Sequence, residues 1–299
     1  RAPALSEEYF SRTTTVFRQV GGVGTFLTTR TFPVNTREAQ LMGATKLRPE
    51  TSVNRSVGLV LNKASLPLLT ADYYEIKIAD RIGLTGVVTD TSLSRVFEEN
   101  GIRGISGGNY FSNKIDTRTR GVDVIASRAF LLSRAGIMRI VGGYNYNKTL
   151  VTSVAPAPAE LGAFQTRLFT RMNRGVIEDG QPQRTILFDL NYSIGALGLN
   201  LSNQRSGPTA QLDQTKPEFD QHVSAKWATD VRASYQLRSR VVVALSAVNL
   251  FDVYPDEWWD FKDGLSARGF SMQGIFRYPA ALSSLGLNGR TVYVQLVYR

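Results

Sequence analysis

Apolar residues recur at every second position in run after run along this chain. That is the period of a strand with one apolar face. The first clear run is Asn54 to Leu61, where Val57, Leu59 and Leu61 share one face and Ser56 and Gly58 the other. Thr70 to Ile82 sets Tyr74, Ile76 and Ile78, assigned outward, against Tyr73, Glu75 and Lys77. Thr117 to Phe130 separates Val122, Val124 and Ala126 from Gly121 and Asp123. Ile137 to Asn147 aligns Met138, Ile140, Tyr144 and Tyr146. Thr185 to Tyr192 opposes Ile186, Phe188, Leu190 and Tyr192 to Asp189 and Asn191, and Leu197, Leu199 and Leu201 follow a tight Gly-containing turn. Thr229 to Leu237 divides Val231, Ala233, Tyr235 and Leu237 from Asp230, Arg232, Ser234 and Gln236. Val241 to Leu250 is apolar on both faces near its start, and Thr291 to Tyr298 aligns Val292, Val294, Leu296 and Tyr298. The pattern predicts about nine strands.

The connections alternate as well. Lys63 to Leu69, Leu131 to Gly136, Ser193 to Ala196 and Arg238 to Arg240 are short. Ile82 to Asp116, Lys148 to Arg184, Asn203 to Thr229 and Phe251 to Arg290 are long. A soluble sandwich has no reason to sort its loops this way. A barrel threaded through an outer membrane does, with short periplasmic turns and long extracellular loops. The expected fold is all-β, an antiparallel transmembrane β-barrel segment. Residues 1–46, rich in Thr, Gly and Arg with Pro3 and Pro33, read as mostly extracellular loop with room for short strands, and 47–299 as barrel strands and loops. Tyrosines near several strand ends suit a membrane interface, although Tyr also simply favours strands.

Composition does not oppose this. Hydrophobic content of 42% and a mean hydropathy of −0.14 would suit a soluble protein, but a membrane strand needs apolar residues only on its lipid face. No run approaches the roughly 18 apolar residues of a membrane helix. Lumen-side positions are often small or polar (Ser56, Gly58, Gly121, Gly142, Ser234, Ser246), which suits the wall of a wide barrel better than a packed narrow one.

The chain has no cysteine and one histidine, His222, which excludes disulfide frameworks and thiol catalysis and leaves little for a metal site. No cofactor is expected. The net charge is +10, but Arg and Lys are scattered singly without interleaved aromatics, which points away from nucleic acid and towards anionic lipid head groups. The paired acids Glu98-Glu99 and Asp256-Glu257 fall in predicted loops, where adjacent side chains diverge. The Gly-rich stretches lack a phosphate-binding Lys, so an enzyme is not expected. The first residues, Arg1 to Leu5, are neither a start Met nor a signal peptide, so an export signal is expected upstream or already removed.

Some segments are recognisable. Leu47-Arg48-Pro49-Glu50-Thr51-Ser52-Val53-Asn54 followed by Gly58 resembles the lead into a barrel strand of TonB-dependent outer-membrane receptors, and Arg1-Ala2-Pro3-Ala4-Leu5 a segment preceding it. Thr70 to Ile76 with Asp80-Arg81-Ile82, and Thr119 to Asp123, resemble the strands that follow. Asn249-Leu250-Phe251-Asp252 with Tyr254-Pro255 resembles the stretch before the last outer loop, and Gly289 to Tyr293 the start of the closing strand. The resemblance implies a barrel of about 22 strands around a plug, of which this chain matches the C-terminal portion of about nine to ten strands. It places the C-terminus in the periplasm. Such receptors usually finish on an aromatic residue, so one more residue, a Phe, is expected after Arg299.

The resemblance also implies a function: an active-transport receptor of the cell outer membrane, energised through TonB. It would take up a large nutrient such as a ferric siderophore, cobalamin or an oligosaccharide. Its expected partners are outer-membrane lipid and lipopolysaccharide, the nutrient, and the TonB complex through the plug and TonB-binding box. Glu75, Lys77, Asp123, Asp189, Asn191 and Arg232 are expected to line the lumen. Tyr254, Asp256, Glu257, Trp258 and Trp259 concentrate rings and acids in an outer loop, as a ligand-contacting surface or as a packed anchor against the rim. The alternatives are a small self-standing outer-membrane barrel with a structural or adhesive role, and a secreted β-sheet binding module.

Overall fold

The structure is a computed structural model. It describes all residues except 21–22, 64–65, 90, 157–167, 215, 259–276, 280–281, 283 and 299. In chain order the elements are α1 (Leu5–Tyr9), β1 (Arg12–Val20), β2 (Val23–Thr31), α2 (Arg37–Leu41), β3 (Thr51–Leu61), β4 (Leu68–Leu84), β5 (Val88–Thr89), α3 (Thr91–Glu99), β6 (Gly107–Asn109), β7 (Phe111–Leu131) and β8 (Ile137–Val154). Then come α4 (Arg171–Glu178), β9 (Arg184–Ile194), β10 (Leu197–Ser206), β11 (Thr209–Gln211), β12 (Gln221–Val223), β13 (Lys226–Arg238), β14 (Val241–Val248) and β15 (Thr291–Tyr298).

All nine predicted runs become strands of one antiparallel sheet, ordered β15-β14-β13-β10-β9-β8-β7-β4-β3. Each strand pairs with the next one along the chain once the short loop strands are set aside. Its two edges among the described residues, β3 and β15, are the positions through which such a wall is closed in lipid. No described helix is long and apolar enough to cross a membrane.

The short turns gather at one end of the sheet. In the β7–β8 turn the Leu132 N–H donates to the Gly136 carbonyl at 2.8 Å. Gly136 has φ 93°, and a Cβ there would stand 2.1 Å from the Ser193 carbonyl oxygen. Glycine is therefore required by both conformation and space.

The long connections gather at the other end, and β4, β7 and β8 run further towards it than the alternation predicted. Beyond them lies a small second layer, the sheet β1-β2-β6-β5 with α2 and α3. Its core joins Phe32, Met42, Val88, Leu93, Phe97 and Tyr110. Phe32 and Phe97 meet edge-on at 5.9 Å, and the Tyr110 hydroxyl donates to the Met42 carbonyl at 2.9 Å. The segment 1–46 thus supplies a hairpin and two short helices.

Candidate lumenal face and outer-loop surface

Residues directly opposite each other in a sheet point to the same side, so the register sorts all nine strands into two faces. One face carries the rows Leu59–Ala71–Val124–Tyr144–Ile186 and Leu201–Val231–Ala247–Val292. Many of its large side chains are exposed, including Val57, Leu59, Leu199, Leu245, Val294 and Leu296. A face of exposed Val, Leu and Tyr fits hydrocarbon and not water.

The other face is polar and small. Its rows include Gly58–Asp72–Asp123–Asn145–Thr185 and Arg139–Asn191–Asn200–Arg232–Ser246. Asp123, Asp189, Asn191 and Arg232 all stand on this face, as the alternation suggested. Asn145 donates to the Asp123 carboxylate, and the Asn200 amide donates to Asn191 at 2.9 Å. A shallow pocket of about 460 Å³ near the short-turn end brings Asn191 and Arg232 together with Arg139 and Asn200. Asp123 and Asp189 are not part of it. Arg139 and Asn200 escaped the sequence reading, although their strand parity pointed to them.

Glu75 and Lys77 require a correction. Val57 pairs with Tyr73, Arg55 with Glu75 and Val53 with Lys77, which puts both charged residues on the apolar face. Tyr74, Ile76 and Ile78 turn to the polar side instead. The Tyr74 ring covers Gly121 so closely that a Cβ there would lie 2.1 Å from its Cζ. Parity within β4 was ambiguous because aromatic and aliphatic residues occupy both sides. Only the neighbours settle it.

In the outer loop the expected ligand-contacting residues have partners of their own. Asp256 accepts from Lys226 Nζ at 2.6 Å and from the Ser224 N–H at 2.5 Å. Both bonds hold its carboxyl below the usual range, against the effect of burial. Glu257 pairs with Arg277 at 2.7 Å. Tyr254 stacks on Tyr278 at 5.2 Å, and Gly289 is bare where the Tyr254 hydroxyl approaches. Trp258 is buried, and its backbone N–H donates to the Arg277 carbonyl at 2.9 Å. Trp259 lies outside the described residues. Chemically, this segment bridges the β12–β13 junction to the approach to β15.

Another cluster joins the two N-terminal motif segments. The Arg1 guanidinium reaches Glu50 at 2.9 Å and Glu7 at 2.8 Å, while Glu50 also accepts from the Ile82 N–H at 2.7 Å. The similarity of these segments to receptor sequence thus has a structural reading, as a clasp across 49 residues.

A two-faced antiparallel meander with sorted loops defines the wall of a membrane β-barrel. The sequence profile of the family described as TonB dependent receptor-like, beta-barrel matches residues 1–250, and the chain belongs to that family. A comparison with curated proteins gives no match. Among solved structures, the ferric enterobactin receptor PfeA from Pseudomonas aeruginosa, in a mutant form, aligns with TM-score 0.57 and 14% identity over 100% of this chain and 36% of its own. The outer membrane transporter YddB from Escherichia coli gives 0.54 and 11%, over 84% and 33%. The siderophore receptor PirA from Acinetobacter baumannii gives 0.52 and 13%, over 100% and 37%. The chain therefore spans about a third of the length of these structures, and at such identity the likeness shows the fold alone.

Proposed function

We propose that this chain forms part of the wall of a TonB-dependent outer-membrane receptor. The apolar face meets lipid and the polar face lines the lumen. The short turns and the C-terminus lie in the periplasm, and the long connections lie outside. The intact receptor imports a large nutrient such as a ferric siderophore, cobalamin or an oligosaccharide, driven by the TonB complex acting on a plug. The two-faced register over nine strands, in a chain of this family, carries the reading.

Asp123, Asp189, Asn191 and Arg232 line the path, with Arg139 and Asn200 beside them. Tyr254, Asp256, Glu257 and Trp258 hold the last outer loop to the rim, and Trp259 is the proposed ligand contact of that segment.

The absence of cysteine makes orientation directly testable. Arg134→Cys lies in a short turn and Arg103→Cys in a long connection. An impermeant maleimide on intact cells is expected to label only Arg103→Cys, and labelling only of Arg134→Cys overturns the orientation. For transport, deletion of the gene and deletion of TonB are expected to lower uptake of the same nutrient equally. Unchanged uptake of all three nutrient classes overturns the transport reading.

A further inference from the structure

On the apolar face, the composition changes abruptly towards the long-connection end. The rows Val57–Tyr73–Val122–Tyr146 and Leu59–Ala71–Val124–Tyr144 are uncharged. The next row outward is Arg55–Glu75–Arg120–Lys148, and the one after it sets Lys77 opposite Arg118. One row is about 7 Å along a strand, so on β3, β4, β7 and β8 the cations begin one step beyond the hydrocarbon-like surface.

Five cations here meet one carboxylate. Glu75 takes Arg120 at 2.6 Å and Lys77 at 3.5 Å. Arg55, Arg118 and Lys148 have no ion pair among the described residues. On β9 and β10 the band steps inward along the register, with Arg184 level with Tyr146 and over its ring at 5.8 Å, and Arg205 level with Ile186 and opposite Trp227, which is 46% exposed. Aromatic rings beside cations at the end of an apolar surface mark a head-group zone. Among the described residues, the short-turn end of the same face shows no such row. There Arg128 stacks over Phe130 at 5.1 Å.

We infer that this basic tier binds the phosphates of outer-leaflet lipid, of the lipid A kind, with acyl chains lying on the apolar rows below. Unpaired cations next to hydrocarbon are costly unless an anion meets them. A lipid phosphate supplies the charge and acceptor oxygens for guanidinium forks. The leaflet assignment rests on the orientation proposed above, whereas phosphate binding by the tier does not.

The test uses the full chain, purified from membranes in a non-ionic detergent, with bisphosphorylated lipid A or the same lipid stripped of phosphate as probe. Bound lipid is counted by native mass spectrometry. Wild-type protein is expected to retain the phosphorylated lipid at least about tenfold more tightly than the stripped one, since each surface cation adds roughly 1 kcal/mol. Arg118→Gln/Arg120→Gln/Lys148→Gln is expected to lose that preference. Arg118→Lys/Arg120→Lys/Lys148→Arg, with the charge kept, retains it. Arg134→Gln/Arg238→Gln/Arg240→Gln, at the turn end, leaves it unchanged. Equal retention of both lipids by wild-type protein overturns the proposal without any variant. Equal loss in the turn-end variant overturns it too. A reversed maleimide pattern with intact phosphate preference refutes the orientation alone. A correct pattern without the preference refutes the tier alone.

Discussion

Glu75 accepts a hydrogen bond from Nε of Arg120 at 2.6 Å across β4 and β7, on the face of the sheet that carries Val57, Tyr144 and Leu201. Its position makes it the counter-charge of a basic row and not a lumen residue. Glu75→Gln is expected to lower the thermal midpoint in lipid-free detergent, because Arg120 and Lys77 then face each other unpaired. Added lipid A phosphate should restore the midpoint, with an increased phosphate preference. In an Arg120→Gln background, Glu75→Gln should have a smaller effect on melting. An effect of equal size in both backgrounds would show that the pair is not coupled.

Tyr74 and Gly121 stand directly opposite each other across β4 and β7 on the polar face. The Tyr74 ring lies across the glycine, where a Cβ would meet its Cζ, hydroxyl and Cε1. Gly121→Ala is expected to destabilise the folded wall by about 1–3 kcal/mol through overpacking. Tyr74→Ser should relieve most of that penalty, since the clash is with the ring. Urea midpoints of the four variants in a cycle decide it. If Gly121→Ala costs the same with Ser at position 74, the backbone and not the ring is responsible.

The nine strands were legible because lipid on one side and water on the other force a period of two through every strand. Their outer extensions were not. Past the hydrocarbon boundary nothing compels alternation, so Phe111 to Asp116 and Lys148 to Val154 read as loop. The face of β4 was illegible for a different reason, because Tyr73 and Tyr74 are adjacent and Ile76 and Ile78 answer Glu75 and Lys77 without showing which side is wet. The partners of the outer-loop acids were equally hidden. Lys226 lies 30 residues from Asp256, and no local signature links them. Arg1 and Glu50 were singled out only as fragments of familiar motifs, and their contact gives those motifs a physical purpose.

The loop layer has acid-sensitive joints. Arg171 on α4 forks onto Asp220 and tips a further bond to the Asp213 carbonyl at 3.1 Å. The guanidinium holds the Asp220 carboxyl below its usual range, assisted by the Asp213 N–H and by His222. Arg1 does the same for Glu50. A depressed folded pKa contributes stability that is complete above the unfolded value and is lost as pH falls through the folded one. These joints are therefore expected to hold at neutral pH and to open only below about pH 4. Hydrogen exchange in α4 and in β11–β12 should rise there. Asp220→Asn should show raised exchange already at pH 7 and no acid step for this joint. An acid step unchanged in Asp220→Asn would assign it to other groups.

Trp258 separates the two roles weighed for the last outer loop. It is 9% exposed, and Asp256 beside it is tied to β13 through Lys226. If the segment is an anchor, Trp258→Ala is expected to cost about 3 kcal/mol of local stability, in the range for emptying a buried aromatic site. Asp256→Asn, nearly isosteric, should cost less but act in the same place. Both should raise hydrogen exchange between Asn249 and Trp258 and quicken proteolysis there, while the melting of the nine-stranded wall stays where it was. If the segment instead contacts the nutrient, both variants lower affinity in the intact receptor while loop exchange remains that of the unmodified protein. The contacts of Tyr254, Asp256, Glu257 and Trp258 within the chain favour the first outcome. The side chains of Tyr254, Asp256 and Glu257 already have partners elsewhere in the chain, in Tyr278, Lys226 and Arg277, and a ligand would have to break an ion pair or a ring stack before using them.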